Sequence, residues 1–318
     1  MTPLILTIEP RTAFASPLLG DTLFGQLCWT LRHMFGEKRI GELLADYAAG
    51  RPFLVVSDAF PQGYLPLPHL PGRLFRGTPR DPKMRKAFKK IIWMPADATS
   101  APLIDWQRIA AGRRPAQADF LPRPQPRNSL DRLTLCTGEG AGFSPYTVRQ
   151  LWPPPAMRLD VHLRLDEARL TREELLAAWA QTGALGFGKD AHVGLGKFAA
   201  VACRDADIAP PPQANAWLTL APCAPQGLGF DPARSYYKPF TRYGRHGDMA
   251  ARLGNAFKQP VLLSASGGVF AAPVGADFAR GFIGQGLGGE GKLSDVLRQT
   301  VHQGYAPALP IHLPEDEA

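Results

Sequence analysis

The sequence predicts an α+β fold: tandem ferredoxin-like, RRM-like domains with glycine-rich loops, the first interrupted by a basic insertion. Two observations carry this. Periodic apolar patterns spell strand, helix, strand twice within the first 207 residues, the order of a ferredoxin-like unit. A proline-rich, strongly basic stretch without long periodic patterns separates the two triplets.

The elements follow in order. Leu4, Leu6 and Ile8 alternate with Ile5, Thr7 and Glu9, and Pro10 ends this strand or sets it near an edge. A helix comes next, with Asp21 as the expected N-cap. Leu23, Phe24, Leu27, Cys28, Leu31, Met34 and Phe35 fall on one stripe at 3.6-residue spacing, and Gly36 is expected to stop it. Phe53-Leu54-Val55-Val56, bounded by Pro52 and Pro61, reads as the second strand. After an insertion over about residues 72–155, Met157, Leu159, Val161, Leu163 and Leu165 alternate with Arg158, Asp160, His162 and Arg164. That predicts a strand with one apolar and one charged face. Thr171-Arg172-Glu173-Glu174 is a capping box, Leu170 and Leu175 sit as a hydrophobic staple, and Gly183 is expected just past the helix end. Phe198 to Cys203 reads as the closing strand.

The proline run Ala209-Pro210-Pro211-Pro212-Gln213 is the expected boundary between residues 1–208 and 209–318. The second part has strand-like runs at 216–220 and 260–264. It also has a basic, aromatic stretch, YYKPFTRYGRHG, from Tyr236, and a second, irregular glycine cluster, GFIGQGLGGEG, from Gly281. A second, degenerate ferredoxin-like domain fits this pattern.

The chain of 318 residues carries a net charge of +8. Residues 72–132 hold 14 of the 36 Lys and Arg against five of the 28 acidic residues, so this one segment carries the whole imbalance. Concentrated positive charge attracts polyanions, nucleic acid first among them; the bland alternative is a solvated basic surface that keeps the chain soluble. The short apolar run from Leu4 to Ile8 has no basic lead-in, and the longest uncharged stretches contain proline and glycine. A soluble, cytoplasmic protein is expected, without a membrane partner. Cys28, Cys136, Cys203 and Cys223 form no CxxC and are read as free thiols, mostly buried.

The stretch GALGFGKDAHVGLGK, from Gly183, packs five glycines and two lysines into fifteen positions. It is no Walker loop, because Ala191 stands where the first glycine belongs and Phe198 where Ser or Thr would follow the lysine. It is no dinucleotide fingerprint, because it lacks the third glycine and follows a helix. What remains is a flexible basic turn whose amides and lysines suit a bent polyanionic backbone; an ordinary mobile loop is the alternative. No HExxH, GxSxG or paired-carboxylate pattern occurs, so no metal site and no cofactor is expected. His33 and His192 are the histidines placed to act as a general base, although a surface role is the simpler reading. The closing strand lacks the aromatic residues with which an RNA-recognition sheet stacks bases, so loops and the insertion must hold any RNA.

Seven segments in order resemble the Csm4 family, the Cas5-group subunits of type III-A CRISPR effector complexes. They are FASPLLGDTLFGQLCW from Phe14, SDAFPQGYLPLP from Ser57, KAFKKIIWMP from Lys86, PRNSLDRLT from Pro126, the glycine loop, KPFTRYGRHG from Lys238 and VHQGYAPALPI from Val301. The resemblance implies a non-catalytic RNA-binding subunit that grips the repeat-derived 5′ handle of crRNA, caps the backbone filament and docks a Cas10/Csm1-like large subunit. A Csm3/Cas7-like backbone subunit is the implied neighbour, and part of the basic excursion would form a thumb-like hairpin across the guide–target RNA duplex. The expected RNA-facing residues are Arg127, Asn128 and Arg132; Lys189, His192 and Lys197 with Gly186, Gly188, Gly194 and Gly196; Lys238, Arg242 and Arg245; and Asp21, Arg73 and Arg76. Two rivals stand beside this: a metal-independent endoribonuclease of the same superfamily with His33 as base, and a protein whose basic insertion binds another protein.

Overall fold

The computed structural model describes residues 1–76, 81–116, 119–206 and 210–315. The first triplet is β1 (Thr2–Pro10), α1 (Gly20–Leu44) and β2 (Leu54–Pro61). After β2 comes β3 (Tyr64–Pro66), and the insertion contributes α2 (Pro82–Phe88), β4 (Trp93–Pro95), α3 (Trp106–Gly112), β5 (Leu121–Arg127) and β6 (Tyr146–Trp152). The second triplet is β7 (Leu159–Leu165), α4 (Arg172–Leu185) and β8 (Phe198–Asp205). Beyond it lie β9 (Ala216–Thr219), β10 (Asp231–Tyr236), β11 (Pro239–Arg242), β12 (Val261–Ser264), β13 (Val269–Ala271), β14 (Phe282–Gly288) and β15 (Val301–Ile311).

The first sheet has the order β2-β7-β1-β8, every pair antiparallel, which is the strand order of a split βαβ unit. Leu4, Leu6 and Ile8 are fully buried against α1 and α4. The α1 stripe holds through Leu23, Phe24, Leu27 and Leu31. It fails at Met34 and Phe35, each 37% exposed, because the helix breaks directly after them: Gly36 takes φ +88° and a further helical stretch runs on to Leu44. The capping box at Thr171 and Glu174 forms as expected, and Leu170 and Leu175 are buried. Gly183, however, lies inside α4 rather than past it, pressed against the Phe198 carbonyl, and Gly186 ends the helix.

The charged face of β7 is not solvated. All seven of its residues are buried, including Asp160, His162 and Arg164. Thr7 Oγ1 donates to Asp160 Oδ1 at 2.7 Å, the Gly63 amide donates to Oδ2 at 3.2 Å, and burial pushes the His162 imidazole down to about 4, helped by Arg204 and Arg164. The reason is a second sheet, β10-β13-β9-β15-β14, whose strand β15 packs on β2 and β7. The two parts share cores: Phe282 and Tyr305 join the cluster of α1 and β1, while Ala216, Leu218 and Leu309 join Phe60 of β2 and Met94 and Trp106 of the insertion.

The second part departs from a ferredoxin-like unit, for residues 210–315 contain strands and 3-10 turns and no α-helix. Most of the second glycine cluster forms a strand, β14, paired with β15 from Phe282↔Pro307 to Gly288↔Val301, with Gly284 and Gly288 at positive φ. Glycine is needed there for close approach: a Cβ on Gly286 would stand 2.5 Å from the Tyr47 carbonyl oxygen. Ala209 of the expected boundary lies outside the described residues. Only Cys223 of the free cysteines is buried; Cys136 is exposed, and Cys28 and Cys203 are intermediate. No helix among the described residues is long and apolar enough to cross a membrane.

Gln303 binds both polar groups of one β2 residue across the junction: the Val56 amide donates to Oε1 at 2.9 Å, and Nε2 donates to the Val56 carbonyl at 2.8 Å. Gln303→Leu strands two buried backbone groups and is expected to destabilise the chain by about 2–5 kcal/mol in urea denaturation. A loss below about 0.5 kcal/mol would show that this junction contributes nothing.

Candidate nucleic-acid interface

The glycine loop is fixed. After α4, Gly186 turns at φ +100° and Phe187 inserts into the core. Gly188 packs on Ser16, a 3-10 turn spans Ala191–Val193, and Gly196 (φ +75°) returns the chain to β8. The Lys189 amide donates to Ser16 Oγ at 3.0 Å, the Gly196 amide to the Ala13 carbonyl at 2.7 Å and the Lys197 amide to Thr12 Oγ1 at 2.9 Å. The expected flexible turn is therefore corrected. Its glycines serve backbone crossing, most tightly at Gly196, where a Cβ would stand 2.1 Å from the Phe187 oxygen, and the amides of Lys189 and Lys197 are already spent. Gly194 differs, with nothing within 4 Å of a Cβ. The side chains of Lys189, His192 and Lys197 are exposed.

The hairpin of β5 and β6 stands beside this loop. Its strands pair from Leu121↔Trp152 to Arg127↔Tyr146, and an isolated bridge joins Phe14 to Leu151. Pro122, Pro124 and Pro126 occupy alternate positions of β5, so its free edge offers no N–H at those residues and resists pairing with another chain. Arg127 Nη1 lies 3.2 Å from Asp190 Oδ2, an ion pair that ties the hairpin to the loop. Arg127 is thus a strut here. Asn128 Nδ2 donates to Thr137 Oγ1 at 2.5 Å, and Arg132 is exposed in the connection between the strands.

Two expected RNA contacts are structural instead. Asp21 does not cap α1; its side chain is fully buried, with Arg242 Nε donating to Oδ2 at 2.7 Å and Nη2 to Oδ1 at 3.2 Å. His302 Nε2 lies 3.2 Å from the same Oδ2. Arg242 and His302 belong to the second part, so Asp21 is a hinge pin between the halves. The cap of α1 comes from a distance: Asp58 Oδ1 accepts from the Gly20 amide at 2.7 Å and Oδ2 from Ser266 Oγ at 2.6 Å. A bulge in β2 between Val56 and Ala59 aims Asp58 this way, and Ser57 Oγ accepts the His162 amide at 2.7 Å within it. SDAF is thereby explained as a bulge and a tertiary cap. The sequence reading missed Asp58, Ser266, His302 and Gln303 because each acts across the junction.

The remaining candidates are dispersed. Lys238 is exposed and lies near His69, whose imidazole is pushed down to about 4 by burial and then by Lys238. Arg245 is exposed and sits over the Phe257 ring at 5.8 Å. Arg76 lies 3.9 Å from Asp105, and Arg73 is exposed in the insertion. The geometry therefore brings together Lys189, His192 and Lys197 with the hairpin of Arg127, Asn128 and Arg132, but not Asp21 or Arg242.

Burial pushes the Asp58 carboxyl up to about 7, with Asp21 adding to it, against the lowering effect of Ser266, Gly20 and Arg242. Burial would also raise Asp21, but His302 and Arg242 outweigh it and hold Asp21 below the usual value. Between about pH 4 and pH 7 the folded chain keeps a proton on Asp58 that the unfolded chain has lost, so the contribution of this group falls as pH rises through that window, by roughly 4 kcal/mol, while His162 and His69, pushed down to about 4, act in the opposite direction between about pH 4 and 6.5. Asp58→Asn can still bond Gly20 and Ser266, and it is expected to gain stability relative to the wild-type chain on going from pH 5 to pH 8 in urea denaturation; an unchanged difference would contradict it. In the loop, Gly196→Ala meets backbone and is expected to cost about 3 kcal/mol or more, whereas Gly194→Ala meets only φ strain of about 1 kcal/mol, read from melting curves.

No family model and no curated protein sequence matches the chain. Solved structures do. The Csm4 chain in a Csm1-Csm4 cassette in complex with pppApA superposes with a TM-score of 0.63 at 16% identity, over 99% of this chain and 100% of that one. The same cassette in complex with cA4 gives 0.61 at 17% identity, over 98% and 99%. The Csm3-Csm4 subcomplex of the type III-A CRISPR-Cas interference complex gives 0.57 at 12% identity, over 95% and 99%. Sheet, insertion and second part together, this chain has the fold of Csm4.

Proposed function

We propose that the chain is the Csm4-type subunit of a type III CRISPR effector complex, a non-catalytic protein that grips the repeat-derived 5′ handle of crRNA, caps the filament of Csm3/Cas7-like subunits and docks a Cas10/Csm1-like subunit. The observation that carries this is the end-to-end match to Csm4 chains together with a rigid basic loop tied by Arg127–Asp190 to a projecting hairpin. An RNA-recognition sheet stacks bases on its open face; here the β2–β7 half of that face is covered by the second sheet, and the exposed positions of β8 carry no aromatic side chain. RNA therefore meets the loop and the hairpin. Lys189 and Lys197 on a fixed loop neutralise phosphates of a bent single strand without paying loop-ordering entropy on binding. The hairpin, with Asn128 and Arg132 near its tip, lies across the guide–target duplex.

The endoribonuclease reading has one observation in its favour: His33 Nε2 is paired with Asp248, whose carboxyl the His33 hydrogen bond holds below its usual value. Distance weighs against it. His33 lies thirteen residues along α1 from Gly20, roughly 20 Å from the end that adjoins the segment holding the loop. Metal-free cleavage of a repeat hairpin that is lost in His33→Ala would establish that reading.

Purification of the complex by a tag on this chain, after co-expression with a CRISPR array and the neighbouring subunits, is expected to yield RNA with one uniform repeat-derived 5′ end and a Cas10-sized partner. Random or absent RNA would overturn the proposal. Replacing Lys189, Lys197 and Arg132 by Ala is expected to lower the slope of log affinity against log salt by about 2, at roughly 0.7 per phosphate contact on single strands. An unchanged slope would remove these residues from the interface.

A further inference from the structure

A cavity of about 560 Å³ lies between α1 with the turn that follows it, the connection from β14 to β15 and Lys258, and it shares no lining residue with the glycine loop. Its size falls in the range of small-molecule sites, and its lining is mainly apolar, from Phe24, Ile40, Leu44 and Tyr47 on one side to Leu297 and Val301 on the other. Two glycines of α1, Gly25 and Gly41, line it, and a Cβ on either would meet nothing within 4 Å. The helix surface is therefore cut back where the cavity needs room.

The polar groups in this cavity are unbalanced. Glu37 is paired with Arg32 and Glu290 with Lys292. His246 Nε2 is bonded to Ser294 Oγ at 2.8 Å. Lys258 has no ion-pair partner among the described residues, and its neighbours are the Cys28 thiol and, farther off, Asp21. Burial pushes its amine below the usual lysine value, and burial likewise pushes the Cys28 thiol up to about 12, so the thiol offers no counter-charge at neutral pH. A cation without a counter-charge in a mainly apolar cavity costs stability, and an anion bound there would relieve it.

We propose that this cavity binds a small amphiphilic anion, with an aromatic or aliphatic body against the cut-back face of α1 and its carboxylate, sulfonate or phosphate on Lys258. The site is separate from the RNA-facing surface and does not depend on it.

The test uses the full chain with two probes of similar shape, the anionic 8-anilinonaphthalene-1-sulfonate and the neutral N-phenyl-1-naphthylamine, followed by fluorescence well below the melting temperature. The folded chain is expected to bind the anionic probe at one saturable site. Lys258→Met is expected to weaken that probe about tenfold or more and to leave the neutral probe within twofold. Gly25→Leu fills the cavity and is expected to abolish binding of both probes while the melting temperature stays equal or rises, since leucine replaces glycine inside a helix. Failure of the anionic probe to saturate on the wild-type chain, equal weakening of both probes by Lys258→Met, or undiminished binding in a folded Gly25→Leu variant would each overturn the proposal.

Discussion

Two carboxylates buried at the start of α1 hold the molecule together. Asp21 reaches into the second part for Arg242 and His302, and Asp58 reaches from a bulge in β2 to cap α1 and to hold Ser266. Removing a charge from water is costly unless it is paired and hydrogen-bonded, and each of these oxygens has a partner. Breaking the Asp21–Arg242 pair would leave a charge buried, and Asp58, pushed up to about 7, is held through neutral partners, so the arrangement acts as a clamp more than as a source of net stability. Gln303 on Val56 and the Tyr305 hydroxyl on the Tyr47 carbonyl continue the same junction along β15.

The clamp decides where function can sit. With β15 seated on β2 and β7, Asp160, His162 and Arg164 are interior residues, and only the edge strand β8, with Ala202 and Arg204 exposed, leaves that face open. The free basic surface lies at the other edge, where α4 ends and the glycine loop crosses the segment from Arg11 to Ser16. That loop keeps its shape because backbone passes backbone at glycines and because Phe187 anchors it. A preformed loop presenting lysines binds a phosphate chain with less ordering cost than a mobile one. Arg127, paired with Asp190, carries that rigidity into the hairpin.

Much of this was legible from residue patterns. The strands β1, β7 and β8, the helix α4 with its capping box and the place of the insertion follow from local periodicity and cap chemistry, which act within one element. What escaped was long-range. Alternation along β7 marks an apolar and a charged face but not what covers the charged one, so the burial of Asp160 and Arg164 was not legible. Asp21 looks like a helix cap by position, and only the fold shows Arg242 arriving from more than two hundred residues away. The glycines of the loop and of β14 signal backbone freedom in sequence, while in three dimensions they mark contacts too close for a side chain. Residues such as Ser266 and Gln303 carry no local pattern, because their partners lie in the other half of the chain.

The most direct test of this account is photo-cross-linking of the purified complex followed by mass spectrometry of the cross-linked peptides of this chain. Cross-links to RNA concentrated in residues 186–197 and 121–152, and absent from residues 159–165, are the predicted result. Cross-links at His162 or Arg164, with none in the glycine loop, would mean that the sheet face opens to RNA and that the clamp does not close the molecule as described.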